Sequence, residues 1–236
     1  MKTISSRHSY SLPLLSVIAA IAGLCLPGRA FALVGFETIP IGTLAEGLAI
    51  SNQYTLSDGI TFNLAGGIKP ILAQVGSPGY AFTGFGGVDD LPAPGQNVGD
   101  FFLVGPSTHL QSGVPLDLLV AYSTPSQFAS GVILDIDGNE GWLVQALNSS
   151  AVPIDSLSLN PGSPGAGDAL ATTWSFSHAG ADIAGIRIHY NGTQTANIGY
   201  AWDNFSTVPV PEPGAATIIL IGGLMAWRRR LATGKE

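Results

Sequence analysis

The sequence has few charged residues and almost no cysteine. Charged residues make up 11% of the 236-residue chain, against roughly 25% in an average soluble protein. Long amphipathic helices need Lys, Glu and Arg on their solvent-facing side, so this composition argues against a helical bundle. The single cysteine, Cys25, lies in the N-terminal apolar run. The remainder of the chain therefore depends on a packed core, without disulfides.

Positive charge is nearly absent between the two ends of the chain. Residues 33–210 contain two strong cations, Lys69 and Arg187, against fourteen Asp and Glu residues, which gives a formal charge of −12. Phosphate binding depends on Lys and Arg, so this composition excludes nucleic acid and anionic lipid as partners. Divalent cations and neutral sugars suit such a surface better.

The N-terminus has the pattern of a secretory signal peptide. Lys2 and Arg7 precede an apolar run over 12–26, and Ala30 and Ala32 form the small-x-small pattern that signal peptidase reads. The run has about 15 residues, whereas roughly 20 are needed to span a bilayer. We expect signal peptidase to remove residues 1–32; a permanent transmembrane anchor is the alternative.

The C-terminal residues 208–236 combine a short apolar stretch with two flanking motifs. The motif residues are Pro211, Glu212, Pro213, Arg228, Arg229 and Arg230. As a helix, residues 214–227 would span about 21 Å, less than the roughly 30 Å of a hydrocarbon core. Arginines stay on the cytoplasmic side of a membrane. The sequence thus predicts a short transmembrane helix that anchors the chain only transiently.

This tail resembles the PEP-CTERM sorting signal of exosortase substrates. The resemblance implies a Gram-negative bacterium, export by the general secretory route and transient anchoring in the inner membrane. A membrane-embedded exosortase would then remove the tail and release the protein to the cell surface or the extracellular exopolysaccharide matrix. An ordinary C-terminal anchor is the alternative.

Residues 33–207 are predicted to form one all-β domain, an antiparallel β-sandwich. Short segments in which apolar and polar residues alternate are separated by Gly, Pro, Asn and Asp, which is typical of half-buried strands. The predicted strands are 49–54, 60–64, 68–75, 100–104, 116–122, 131–136, 142–147, 156–159, 172–177, 183–190 and 198–205. Their number and spacing favour a sandwich.

The two ends of this domain carry a second resemblance. Gly-Phe-Glu at 35–37, Gly-Ile-Thr-Phe at 59–62 and Trp-Asp-Asn-Phe at 202–205 are similar to jelly-roll modules found in front of such sorting tails. Those modules resemble carbohydrate-binding sandwiches. The resemblance implies that the first and last strands pair and bring Glu37 near Asp203. Because fourteen acids against two cations leave uncompensated repulsion, we expect these two carboxylates to hold a structural Ca²⁺ that stabilises the folded state.

A second group of oxygen ligands lies in one short segment. Residues 135–141 include Asp135, Asp137 and Asn139, and Ca²⁺ is bound by carboxylates and carbonyls of this kind. The glycine comes too early for an EF-hand loop. Asp-Gly between two apolar runs is also a favoured hairpin turn, so a plain turn and a calcium site both remain open.

Signatures of catalysis are scarce. The chain has no Gly-x-Ser-x-Gly elbow, and residues 33–210 contain neither cysteine nor two histidines at ligand spacing. In the strand 183–190, alternation puts Arg187 and His189 on one polar face. We assign no catalytic residues and expect a non-enzymatic protein that binds glycan or is structural. A small hydrolase or lyase of the exopolysaccharide is the alternative.

Overall fold

The computed structural model describes residues 33–77, 91–106, 113–167 and 169–209. The predicted cleavage signal at Ala30 and Ala32, the Pro-Glu-Pro motif at 211–213 and the arginines at 228–230 lie outside these residues. Within the described ranges, no helix has the length and apolarity needed to cross a bilayer.

Ten strands in the described part of the chain form two five-stranded sheets, and every pairing is antiparallel. The strands are β1 (Ile60–Leu64), β2 (Ile71–Gln74), β3 (Phe101–Val104), β4 (Leu118–Ser126), β5 (Phe128–Leu134), β6 (Trp142–Leu147), β7 (Pro153–Leu159), β8 (Ala171–Ser177), β9 (Ile183–Tyr190) and β10 (Ala201–Ser206). In one sheet the strand order is β1-β4-β9-β6-β7, and in the other it is β2-β3-β10-β5-β8. This confirms the predicted all-β antiparallel sandwich.

The connectivity is that of a jelly roll with two added strands. From β3 onward, the first sheet contains β4-β9-β6-β7 and the second contains β3-β10-β5-β8. This order is the double Greek key of an eight-stranded jelly roll. Strands β1 and β2 extend one edge of each sheet. The chain thus has the jelly-roll-like sandwich that its sequence predicts.

Alternation of residue types explains which faces meet in the core. Along β8, Thr172, Trp174 and Phe176 are buried while the residues between them are exposed. Aromatic rings fill the space between the sheets: the ring centroids of Phe62 and Phe205 lie 5.1 Å apart. Edge-to-face contacts of this kind add to the stabilisation that burial provides.

Ten of the eleven predicted strands overlap an observed strand, and the prediction for 49–54 is wrong. In that segment only Ala49 forms an isolated bridge, with Ile71 of β2. The next backbone hydrogen bonds go to different sheets, since Ile50 N donates to Pro70 O while Ser51 O accepts from Phe62 N of β1. A segment that passes from one sheet edge to the other cannot continue a ladder.

Candidate functional site

A cavity of about 490 Å³ lies where the N-terminal segment meets the last strand. Val34 and Phe205 exchange two backbone hydrogen bonds with N–O distances of 2.8 and 3.1 Å, which pair the first described residues with β10. The wall includes Glu37, Tyr54, Asp58, Asn97, Gly99 and Asn204. Small-molecule sites commonly have volumes of roughly 300–1,000 Å³.

An irregularity in β10 shapes this site. The register of β10 against β5 shifts between Asp203 and Ser206, and Asn204 adopts a left-handed backbone with φ of 57°. Phe36 on the facing N-terminal segment also has a positive φ, 56°. β-Bulges change the direction of side chains. Here Asp203 is buried in the sandwich while the neighbouring Asn204 lines the cavity.

Glu37 is exposed and is held against the loop that precedes β3. Its Oε1 accepts a hydrogen bond from the Phe101 backbone N–H at 3.2 Å. A Cβ at position 99 would overlap the Glu37 carboxyl group, so this approach requires Gly99. The backbone therefore positions Glu37 at the cavity wall.

Asp203 is fully buried next to Glu37. Its Oδ1 accepts from the Asn204 backbone N–H at 2.7 Å, whereas its Oδ2 has no hydrogen-bond partner among the described residues. The pKa of Asp203 is raised to about 7, chiefly by burial and in small part by the nearby Glu37 carboxylate, against the opposing effect of the backbone N–H groups of Asn204 and Gly99. The structure thus brings Glu37 and Asp203 to one place.

Tyr54 lies close to three carboxylates at this site. The buried Tyr54 hydroxyl donates to the Thr38 carbonyl oxygen at 2.8 Å. Burial raises its pKa well above the usual range, and the carboxylates of Asp58, Asp203 and Glu37 raise it further. The raised pKa of this hydroxyl therefore indicates that three carboxylates lie around Tyr54.

Three hydrogen-bond donors in the wall are used within the protein. Besides the Tyr54 hydroxyl, the Ser57 hydroxyl donates to Asp58 Oδ2 at 2.6 Å. The Asn204 side-chain amide donates to the Asn97 carbonyl oxygen, also at 2.6 Å. The charged groups that the wall presents to a ligand are the carboxylates of Glu37 and Asp58.

The second predicted calcium ligands lie in the turn between β5 and β6. Asp135 is buried with a left-handed backbone (φ 65°), and its Oδ1 accepts from the Ala169 N–H at 2.7 Å. The turn closes by a hydrogen bond from Glu140 N to the Asp137 carbonyl at 2.9 Å, and the Asn139 carbonyl accepts from the loop after β9. The structure shows a hydrogen-bonded turn, and calcium at this place stays a prediction.

The sequence did not indicate that Glu140 is buried. Its side chain is 3% exposed, and its Oε2 accepts from the Asp137 N–H at 3.3 Å. The pKa of Glu140 is raised to about 8, chiefly by burial and in part by Asp137 and Asp135, against opposing backbone hydrogen bonds. Throughout the described ranges, no group of three or more His, Cys, Asp or Glu side chains is arranged to hold a metal ion. A Ca²⁺ at either place would need amide or carbonyl oxygens as well.

Arg187 and His189 lie on the outer face of β9, as alternation predicts. Arg187 Nε and Nη2 each lie 2.6 Å from Asp117 Oδ2, and His189 Nδ1 lies 2.7 Å from Asp117 Oδ1. Sequence reasoning did not pair them with Asp117, because that residue belongs to the segment before β4. The cluster ties two neighbouring strands together at the surface.

Aromatic side chains do not form an open stacking surface in the described residues. Every Trp and Tyr among them is buried: Tyr54, Tyr122, Trp142, Trp174, Tyr190, Tyr200 and Trp202. They fill the core, which is one of the two roles that the sequence left open. Among these residues, no Trp or Tyr ring is open for a ligand in the cavity to stack on.

Tyr54 and Asp58 were also missed as site residues. One signal was present, because Asp58-Gly59 is a turn dipeptide directly before the first strand. Residues 52–58 form that turn, in which Asp58 N donates to the Tyr54 carbonyl at 2.8 Å. The turn places both side chains beside Glu37.

No protein-family model and no curated protein matches the chain. Among solved structures, it is similar to TmCBM61 in complex with β-1,4-galactotriose, with 7% identity and a TM-score of 0.35, over 62% of this chain and 86% of that one. It is also similar to the enzymatically active domain of bacteriophage CBA120 tailspike protein 4, with 9% identity and a TM-score of 0.34. That match covers 73% of this chain and 23% of the tailspike chain.

Proposed function

We propose that this protein is an exported, non-enzymatic glycan-binding protein of the cell surface or exopolysaccharide matrix. The cavity at the junction of the N-terminal segment and β10 supports the proposal. Its volume of about 490 Å³ is large enough for a sugar unit, and the wall combines the carboxylates of Glu37 and Asp58 with the amide of Asn204. Sugar hydroxyls pair well with such oxygens.

The raised pKa of Asp203 alone would fit a catalytic acid, since a raised pKa favours a general acid. A general acid must approach the reacting atom to about 2.6–3.2 Å. Asp203 is 0% exposed, so a substrate in the cavity has no access to its carboxyl group. This burial favours binding without turnover.

A second candidate function is a small polysaccharide hydrolase or lyase. It is favoured by Glu37 and Asp58, two carboxylates that line one cavity. Glycosidases use two such groups on either side of the bond that is cleaved. An enzyme would cleave the polysaccharide and generate new chain ends, whereas a binding protein would leave the polysaccharide intact.

Exopolysaccharide from the native host, immobilised on a column, provides the test. We expect the full chain to be retained, and Glu37→Gln and Asp58→Asn to weaken retention roughly tenfold through lost charge-assisted hydrogen bonds. Glu46→Gln removes an exposed acid outside the cavity wall and is the matched control. New reducing or unsaturated ends that depend on Glu37 or Asp58 would establish the enzyme, and absence of retention would contradict glycan binding.

Export and sorting are part of the proposal and rest on the sequence. Signal peptidase would cleave after Ala32, and exosortase would remove the tail near Pro211-Glu212-Pro213, since both apolar segments are short for permanent anchors. Intact-mass measurement of protein from the native host tests this. A mature species that retains the arginines Arg228, Arg229 and Arg230 would contradict it.

We also propose a structural Ca²⁺ at Glu37 and Asp203. The residues fit the ion, because carboxylates are its preferred ligands and the buried Asp203 Oδ2 has no hydrogen-bond partner in the described residues. Bound there, Ca²⁺ would compensate the negative charge between the N-terminal segment and β10. Asp135, Asp137 and Asn139 are the alternative ligands.

A further inference from the structure

We infer that the glycan bound in this cavity is a cationic amino sugar, that is, a polymer of hexosamine units with free ammonium groups. The inference rests on the proposed glycan-binding function of the same cavity. It narrows the ligand from glycans in general to glycans that carry positive charge.

The first argument is uncompensated charge. Glu37 and Asp58 line the cavity, and none of its described wall residues is Lys, Arg or His. Of the two strong cations in residues 33–210, Arg187 is already bound to Asp117 at 2.6 Å, and Lys69 is not in the wall. A ligand ammonium would therefore meet carboxylates without a competing protein cation.

The second argument is the balance of donors and acceptors. The hydroxyls of Tyr54 and Ser57 and the amide of Asn204 already donate to protein oxygens, at 2.8, 2.6 and 2.6 Å. An ammonium group has three donors and no acceptor, so it complements the carboxylates of Glu37 and Asp58 in the wall. A uronic-acid carboxylate has acceptors only and would face like charge.

The third argument is that a buried carboxyl group, that of Asp203, lies directly behind the cavity wall. The buried Asp203 lies behind Gly35 and Gly99, both in the wall: its Oδ1 is 3.7 Å from the position of a Cβ on Gly35. Its Oδ2 has no described hydrogen-bond partner. Where Asp203 is ionised, at and above neutral pH, it would attract positive charge in the cavity without touching it, and charge interactions at partly buried places are screened less than at open surfaces. Below neutral pH the attraction rests on Glu37 and Asp58, which line the cavity.

The test compares three soluble hexasaccharide probes on the full chain by calorimetry, in chelator and below neutral pH so that the sugar amine is protonated. The probes are a glucosamine hexamer, its fully N-acetylated counterpart and a galacturonic acid hexamer. Chelator removes Ca²⁺, which would occupy the same Glu37 oxygens. We expect the glucosamine hexamer to bind roughly tenfold or more tightly than the N-acetylated one, which replaces each charge by a neutral amide.

Variants connect the preference to the cavity. Glu37→Gln keeps an acceptor for the Phe101 N–H, and Asp58→Asn tests the other carboxylate; each should bring the two affinities to within about threefold of each other. Glu46→Gln should leave the preference unchanged. Equal affinity of the original protein for the charged and acetylated hexamers would overturn the inference and leave glycan binding intact. If the protein binds none of the probes and also fails to bind exopolysaccharide, both the inference and the proposed function are overturned. A preference unaffected by Glu37→Gln and Asp58→Asn would overturn the assignment to this cavity.

Discussion

The sharpest prediction concerns the charge on Asp203. Folding raises its pKa from 3.8 to about 7, chiefly through burial. A group with a raised folded pKa gives full stability below its unfolded pKa, and that stability is lost as pH rises through the folded value. One pKa unit corresponds to about 1.4 kcal/mol, so without a bound cation the free energy of unfolding should fall by at most about 4 kcal/mol between roughly pH 4 and pH 8.

Asp203→Asn is the matched perturbation, because asparagine has almost the same shape and cannot ionise. The assay is urea unfolding followed by tryptophan fluorescence, at a series of pH values in chelator. A buried amide without good hydrogen bonds would itself lower the free energy of unfolding. The comparison therefore uses the slope of the free energy of unfolding against pH in the original protein and in the variant, and not the absolute free energy. The variant should show a shallower decline above pH about 5, where the usual aspartate is already ionised.

Calcium adds a second arm to the same experiment. A divalent ion held by Glu37 and Asp203 in the folded state alone stabilises it by about 2.7 kcal/mol at one hundred times its dissociation constant. We expect Ca²⁺ to stabilise the original protein and to have little effect on Asp203→Asn. Superimposable pH profiles in chelator would refute the reasoning about buried charge, and equal stability with and without calcium would remove a folding role for the metal.

Two further predictions concern the core and the turn after β5. Gly131→Ala should destabilise the fold by about 1–3 kcal/mol, because the alanine Cβ would lie 2.6 Å from the buried Trp174 ring. Gly180→Ala is the control in the same unfolding assay, because a Cβ at that position would have no atom within 4 Å. Glu140, whose pKa rises from 4.5 unfolded to about 8 folded, should make stability fall as pH rises between these values, by at most about 5 kcal/mol. Glu140→Gln should remove this part of the pH dependence, and an unchanged pH profile would contradict it.

The strands were predictable because their pattern is local. In β6 buried and partly exposed residues alternate strictly, and in β9 they alternate from Ile186 onward; the predicted and observed bounds of both strands coincide. Residues 49–54 contain an unbroken polar run, Ser51-Asn52-Gln53, and Ile50 and Ser51 bond to different sheets. Tertiary position, which alternation does not encode, decided that segment.

The site was predictable only in part because it joins distant segments. A resemblance to jelly-roll modules placed Glu37 near Asp203, and the structure brings them together. Tyr54 and Asp58 reach the cavity through a turn whose sequence signal, Asp58-Gly59, does not indicate which residues it faces. The bonds that close the wall connect residues 64 positions apart in Glu37–Phe101 and 107 apart in Asn204–Asn97. Residue spacing in one chain carries no information on such contacts.

The buried aromatic residues determine what kind of glycan binding this fold could perform. The rings of Trp142 and Trp202 lie 5.9 Å apart, and Trp142 also contacts Tyr200 at 5.2 Å. Moving one of them to stack on a sugar would open the core. Affinity must then come from hydrogen bonds and charge, each with a net contribution of about 0.5–3 kcal/mol. One cavity would bind one sugar unit weakly, and it would do so less as salt increases. Strong retention on a polymer therefore requires many copies of the protein on one surface, so that avidity multiplies the weak contacts.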